Sequence, residues 1–261
     1  MKSNSDWQVL MMKRIVILMI TLVGLTATAR AGHTLDSLQL KARLGYSIGG
    51  TTPLGLPATI RSVDAYKLTP SFMVGVDASL MLNSRWGVLT GLHFENKAMD
   101  GSVTTKGYHM EVVKGDSRLS GLFTGKVQQK VTEWMLTVPV QAVFKAGKRV
   151  ELKGGPYLSL LVSREFSGIA YDGYLRQGDP TGPKVVMGDK EGEWATYDLS
   201  DDMRTMQFGI AVGADVSLTS RLGLSADVSW GLTGIFPGDY KTVEQTLYPI
   251  YGTIGFYYYI K

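Results

Sequence analysis

Charged side chains recur at every second position of several segments, although Asp, Glu, Lys and Arg make up only 19% of the 261 residues. Alternate residues of a β-strand share one face of the sheet, so this spacing predicts strands with one polar face each. If the polar faces point into a closed barrel, the cations and carboxylates must pair, because an unpaired buried ion is costly. The predicted lumen network consists of Lys41, Arg43, Asp77, Glu95, Glu151, Lys153, Asp215 and Asp227.

The histidines are the residues on which an enzyme hypothesis would rest. His33, His93 and His109 are the three imidazoles of the chain, and His93 shares the polar phase of its strand with Glu95. A Ser-His-acid or Asp-His site would need a nucleophile motif, and none accompanies His93. No two histidines have the spacing of metal ligands, and cysteine is absent. We therefore predict no catalytic, metal or cofactor residues.

An acidic cluster lies in the segment from Tyr197 to Met203. Its carboxylates Asp198, Asp201 and Asp202 could bind a divalent cation, but the segment lacks the glycine and the terminal glutamate of an EF-hand loop. A solvated loop, or acidic groups bridged by cations to lipopolysaccharide, is the favoured interpretation.

Four aromatic residues share the longest connecting segment. Tyr171, Tyr174, Trp194 and Tyr197 could stack on a glycan or anchor a protein partner. They could equally form a small core within the loop, and the sequence leaves both interpretations open.

The N-terminal segment has the pattern of a secretory signal peptide. Lys13 and Arg14 precede an apolar run, residues 15–25, and Ala29-Arg30-Ala31 precedes Gly32. The run is too short for a membrane-spanning helix. We therefore expect an N-terminal extension and signal peptide over residues 1–31, cleavage between Ala31 and Gly32, and a mature domain over residues 32–261. Most of the net charge of +4 lies in residues 1–31, so the basic pI does not indicate nucleic-acid binding.

Eight segments of the mature chain alternate apolar and polar residues, which is typical of β-strands. Short turns and long connections alternate between them, as in an up-and-down antiparallel barrel with long external loops. The long connections, which could hold hairpins that extend the barrel walls, are residues 50–68, 98–126, 167–203 and 234–246. The predicted strands cover residues 38–48, 72–82, 86–94, 134–144, 150–162, 206–216, 222–232 and 248–260.

The positions of the aromatic residues along the predicted strands, near the two ends of the apolar faces, favour a membrane barrel over a soluble one. Tyr and Trp concentrate where a bilayer meets water, and a closed soluble core gives no reason for such sorting. The alternative is a soluble calycin-like barrel that binds a ligand, with its apolar faces inward. The predicted outer belt is Tyr46, Phe72, Phe94, Trp134, Phe208, Trp230 and Tyr248, and the predicted inner belt is Trp86, Phe144 and Tyr258.

Two neighbouring segments resemble the PorT-like outer-membrane β-barrel family. These are WMLTVPVQAVF, residues 134–144, and VELKGGPYLSL, residues 150–160; the opening RLGYSIG, residues 43–49, is also similar to the first strand of that family. The resemblance implies an outer-membrane location in a Gram-negative bacterium and a porin-like barrel. Some members of the family serve protein secretion or gliding machinery.

The C-terminal segment resembles the signal that the barrel-assembly machinery reads. That signal is a polar residue, a glycine, an aromatic residue and a hydrophobic residue in fixed spacing, and Thr253, Gly255, Tyr258 and Ile260 fit it. The chain departs from a common pattern because Lys261 follows.

We expect function to reside in the external loops, because eight strands leave an interior that side chains just fill. The predicted role is a structural, binding or secretion-assembly component, and the partners are outer-membrane lipid, the assembly machinery and a surface or secretion protein or a glycan. A narrow-substrate channel is the alternative.

Overall fold

The computed structural model describes residues 38–67, 69–238, 240, 242–243 and 245–260. The predicted signal peptide, its cleavage residues Ala29, Ala31 and Gly32, and His33 lie outside the described residues. No helix among the described residues is long and apolar enough to cross a membrane.

The described chain is built from β-strands, and every pairing between them is antiparallel. The strands are β1 (Leu38–Pro53), β2 (Ile60–Lys67), β3 (Ser71–Met81), β4 (Trp86–Lys114), β5 (Ser117–Lys145), β6 (Val150–Gln177), β7 (Lys184–Met187), β8 (Ala195–Asp198), β9 (Met206–Ser217), β10 (Leu222–Gly231) and β11 (Leu247–Tyr259).

Eight of these strands close into a ring. The pairings run from β1 through β3, β4, β5, β6, β9, β10 and β11, and β11 pairs again with β1. The prediction of an eight-stranded up-and-down barrel is confirmed. Closure satisfies the backbone groups of both terminal strands, which lipid could not do.

Three of the four long connections continue the barrel wall as β-structure. Strands β4 and β5 are each 29 residues long and β6 is 28, whereas about 9–11 tilted residues cross a bilayer. The short strands β2, β7 and β8 pair with these extensions. The sheet therefore projects far beyond the membrane-spanning band, and we refer to this part as the external sheet.

The direction of the side chains decides which kind of barrel this is. On β1, Arg43 is 2% exposed while the neighbouring Leu44 is 60% exposed, and the same contrast recurs around the ring. The apolar faces point outward and the polar faces line the lumen, as lipid requires. The alternative of a soluble calycin-like barrel is wrong, because such a barrel needs its apolar faces inside.

Aromatic side chains pack together at both edges of the apolar band. Trp134 stacks on Phe94 with ring centroids 5.3 Å apart and meets Phe72 edge-on at 5.4 Å. At the other edge, Trp86 and Phe144 lie 4.8 Å apart. These clusters lie at the heights expected of the two aromatic belts.

The inward face changes polarity where the strands leave the apolar band. On β5, the inward residues Thr137 and Gln141 are polar, but Val131, Val127 and Phe123 further along the same face are apolar and buried. They join a hydrophobic core inside the external sheet, with residues such as Phe166 and Leu175. The barrel therefore has a polar interior where lipid surrounds it and an apolar interior where water surrounds it.

Candidate functional site

Three cations and four carboxylates lie close together in the part of the lumen that is farther from the external sheet. Lys41 Nζ lies 2.5 Å from Glu151 Oε2 and 3.1 Å from Asp215 Oδ2. Arg43 Nη2 lies 2.5 Å from Asp215, and its Nε donates to Asp77. Lys153 completes the group, with Nζ 3.0 Å from Asp215 Oδ1 and 2.9 Å from Asp227 Oδ1. The structure thus brings together seven of the eight residues of the predicted network.

Asp215 is the centre of this group because it contacts all three cations. Each charge in this group has at least one opposite charge as a neighbour, so the group replaces the water that these side chains lose on burial. Asp77 accepts a further hydrogen bond from His93, whose Nε2 lies 2.7 Å from Asp77 Oδ1. His93 is therefore a member of the network, and no nucleophile contacts it in the described interactions.

Glycine on the opposing strand makes room for the network. A Cβ atom on Gly91 would collide with the Asp77 carboxylate, and one on Gly213 would collide with that of Asp227. At these two positions the lumen is narrow enough that a side chain on the neighbouring strand would displace the carboxylate.

Glu95, the eighth predicted residue, belongs to a second layer nearer the external sheet. It pairs with Lys97, whose Nζ lies 3.5 Å from Glu95 Oε2. Lys97 also lies 5.4 Å from the ring centroid of Tyr157 and 5.5 Å from that of Tyr251. Glu133, which is fully buried, accepts a hydrogen bond from Gln207. Sequence analysis missed Lys97 and Glu133, although both continue the inward phase of β4 and β5.

The cavity between the two charged layers of the lumen is small. Its volume is about 60 Å³, and it is bordered by Asp77, His93, Glu95, Lys97 and Lys153. Because a water molecule occupies about 30 Å³ in the liquid, this space is enough for about two waters. The lumen is therefore filled by side chains at this level.

The four aromatic candidates of the external sheet separate into two groups. Tyr197 is buried in the hydrophobic core, and its hydroxyl donates to the Gln128 carbonyl oxygen at 3.0 Å. Its proposed contact with a partner is therefore wrong, because β8 turns its ring inward beside Ala195. Burial raises the pKa of the Tyr197 phenol far above its usual range. Tyr171, Tyr174 and Trp194 remain half-buried, and Lys184 Nζ lies 4.2 Å above the Tyr174 ring.

The acidic cluster does not converge on one point. The Asp198 carboxylate accepts hydrogen bonds from the backbone and hydroxyl of Ser200, which lower its pKa. Asp202 instead accepts a bond of 2.9 Å from the Tyr240 hydroxyl. Within the part of the chain that the structure describes, no three His, Asp or Glu side chains are placed to hold a metal ion.

The residues that resemble an assembly signal lie on β11 and just after it. Thr253 points into the lumen, where its Oγ1 lies 2.8 Å from Ser47 Oγ, while Tyr258 and Ile260 point outward. Gly255 faces Gly45 across the pairing of β11 with β1, and a Cβ on Gly255 would lie 2.7 Å from the Gly45 Cα. Glycine at 255 thus allows the first and last strands to approach closely where the barrel closes.

Comparison with known proteins gives a family and several distant structural likenesses. Residues 29–237 match the family model described as outer membrane protein beta-barrel domain. The crystal structure of Ail, the attachment invasion locus protein of Yersinia pestis, in complex with the heparin analogue sucrose octasulfate, is similar with a TM-score of 0.36 and 12% identity, over 85% of this chain and 97% of that one. Neisserial surface protein A is similar with a TM-score of 0.35 and 12% identity, over 85% and 96% of the two chains.

The outer membrane protein OprG from Pseudomonas aeruginosa is similar with a TM-score of 0.34 and 13% identity, over 88% of this chain and 98% of that one. These likenesses are too distant to support any conclusion about what this chain binds. Among curated proteins no match was found.

Proposed function

This chain belongs to the outer membrane protein beta-barrel domain family, and on that premise we propose that it is a binding or assembly component that works through its external sheet. The family implies an outer-membrane location. The finer PorT-like relationship, with a role in secretion or surface machinery, is part of this proposal, as are cleavage of the signal peptide and a mature domain over residues 32–261.

The observation that carries the proposal is the filled lumen. Lys41, Arg43 and Lys153 are held by carboxylates on several strands, and the cavity between the two charged layers takes about two waters. An ion crossing this layer would have to displace groups that neutralise one another, which is expensive at low dielectric. The barrel is therefore better suited to hold an external structure than to conduct a solute.

The external sheet supplies the surface for a partner. Its strands are continuous with the barrel wall, so it is held rigidly, and rigid aromatic side chains give contact area at little cost in conformational entropy. Tyr171, Tyr174 and Trp194 are the candidate contacts, and a protein of the cell surface or of a secretion machinery is the proposed partner. No catalytic step is assigned to the lumen.

The test is capture of the partner from intact outer membranes by cross-linking. An affinity tag is inserted at Pro180 in the exposed turn between β6 and β7. We expect a specific cross-linked protein with the parent chain and none when Tyr171, Tyr174 and Trp194 are all replaced by Ala. Tyr197→Phe is the matched control and should retain capture, because it keeps the buried ring.

A deletion across residues 173–192 is a poorer test, because it removes Leu175 and Met187 from the core. Equal capture by the parent and the triple variant would contradict the proposed surface. Stepwise ion conductance of the purified protein in planar bilayers would contradict the filled lumen and favour a narrow-substrate channel.

A further inference from the structure

An apolar cavity of about 510 Å³ lies in the external sheet, and none of the charged residues of the two lumen layers lines it. On one side it is bordered by core residues, among them Met99, Met110 and Phe166, and on the other by β2 with Val63 and Ala65. Its volume is within the range of about 300–1,000 Å³ that is typical of ligand pockets.

The cavity is partly open to the surroundings, because the lining residues Leu56, Val63 and Tyr66 are 61%, 55% and 43% exposed, but most of its lining is apolar. Packed cores leave few voids larger than a water molecule, because side chains around a void lose their dispersion contacts. Apolar voids stay dry, and even one of about 150 Å³ binds benzene. The cavity runs from β2 to the segment before β11, since Val63 and Val243 both line it, while the neighbouring core residues Val112 and Phe123 are buried and outside its lining.

The lining indicates the charge of the occupant. Among the described residues that line the cavity, Glu111 is the single charged one, and its Oε1 lies 2.9 Å from Arg118 Nη1. An anionic ligand would meet no free cation there, and a cationic ligand would have to compete with Arg118. The cavity therefore suits a molecule that carries no charge.

The position of the cavity indicates a route of entry. Its border includes Ile48 on β1 and Ile250 on β11, which lie on the outward faces that also carry Tyr46 and Trp230. Ile250 pairs with Trp230, a member of the predicted outer aromatic belt. The lower border of the cavity is thus level with the outer membrane interface, where apolar compounds concentrate.

From these observations we propose that the cavity under β2 binds an uncharged apolar molecule, an alkyl chain or a ring compound, at the outer interface of the membrane. Tyr66 closes one side of the cavity, since its hydroxyl donates to the Gly49 carbonyl and ties β2 to β1. The ligand comes either from the medium or from the acyl chains of the bilayer, and both sources offer the same chemistry.

The test uses the purified full-length protein in detergent and the uncharged dye N-phenyl-1-naphthylamine. We expect saturable fluorescence above protein-free micelles. Val103→Trp, which fills the cavity from β4, should weaken binding by about tenfold or more. Val113→Trp on the same strand is the matched control and should bind as the parent does, because Val113 is exposed and outside the cavity.

Ala65→Trp fills the same space from β2 and keeps the test informative if Val103→Trp fails to show the heat-modifiable mobility of a folded barrel. Displacement of the dye by a long-chain alcohol but not by added phospholipid would assign the ligand to the medium. Displacement by phospholipid would assign it to the bilayer. Absence of saturable binding, or equal binding by the parent and both cavity-filling variants, would overturn the proposal.

Discussion

Arg43 on β1 donates through Nε to the carboxylate of Asp77 on β3, and both side chains are about 1% exposed. The residue directly opposite Arg43 is Gly75, so the pair reaches diagonally across the two strands. We expect Asp77→Ala to lower the free energy of unfolding in detergent by about 3–5 kcal/mol, because Arg43 loses a partner without regaining water.

The control for this experiment is Asp116→Ala, which removes an exposed carboxylate from the turn between β4 and β5. Its unfolding midpoint should match the parent. If Asp77→Ala were equally stable, the lumen around this pair would have to be hydrated.

The outward face of the membrane band should reject a charge that the external sheet accepts. Val76 on β3 is 46% exposed and Val186 on β7 is 61% exposed, so surface area alone predicts similar tolerance. We expect Val76→Lys to cost about 2–4 kcal/mol in lipid vesicles, since its neighbours there are acyl chains. Val186→Lys should cost little, and equal effects in urea titrations would place the two sites in the same medium.

The stability of the second charged layer, which contains Glu95, should depend on Lys97. Lys97→Met leaves Glu95 without its cation, and we expect a loss of about 3–5 kcal/mol in unfolding free energy. Adding Glu95→Gln to this variant should restore much of the loss, because the amide needs no counter-charge. A double variant no more stable than Lys97→Met would mean that Lys97 is held by other groups.

The external core should unfold without opening the barrel. Phe123 is fully buried among apolar side chains of the external sheet, and Phe123→Ala should cost about 3–5 kcal/mol there. We expect faster proteolysis of the external strands with unchanged heat-modifiable mobility, because the membrane band keeps its own contacts. Loss of the folded band on the gel would show that the two regions fold as one unit.

The mature N-terminus should be Gly32, since Ala29 and Ala31 stand at the positions that signal peptidase reads. Mass spectrometry of the protein from outer membranes tests this directly. A mature protein that retains residues 15–31 would contradict the predicted cleavage.

The membrane-spanning strands were predictable because lipid and the polar lumen impose opposite demands on alternate residues. The extensions were harder, since the inward face becomes apolar beyond Trp134 and the outward face becomes polar, as Val131 and Lys130 show. The rule that inward-facing residues are polar therefore no longer identifies the inward face beyond that point. Lys97 and Glu133 lie at this boundary, and they were missed for that reason.

The members of the charge network were predictable, but most of their partners were not. Lys41 lies opposite Asp77 in the pairing of β1 with β3, yet its ammonium contacts Glu151 and Asp215. These contacts cross the lumen and depend on how far each strand is shifted around the ring. Alternation within one strand carries no information about that shift.

The pairing of β1 with β11 closes the barrel, and its register is constrained by the alternation of polar and apolar residues on β1. Lys41 and Arg43 alternate with Ala42 and Leu44 on β1, so a slip of one residue against β11 would move whole faces to the wrong medium. Cations would enter lipid while Leu44 entered the charged lumen, and the error would repeat along the seam. A closure shifted by one residue is therefore strongly disfavoured, and the alternation on β1 and β11 specifies the register at which the barrel closes.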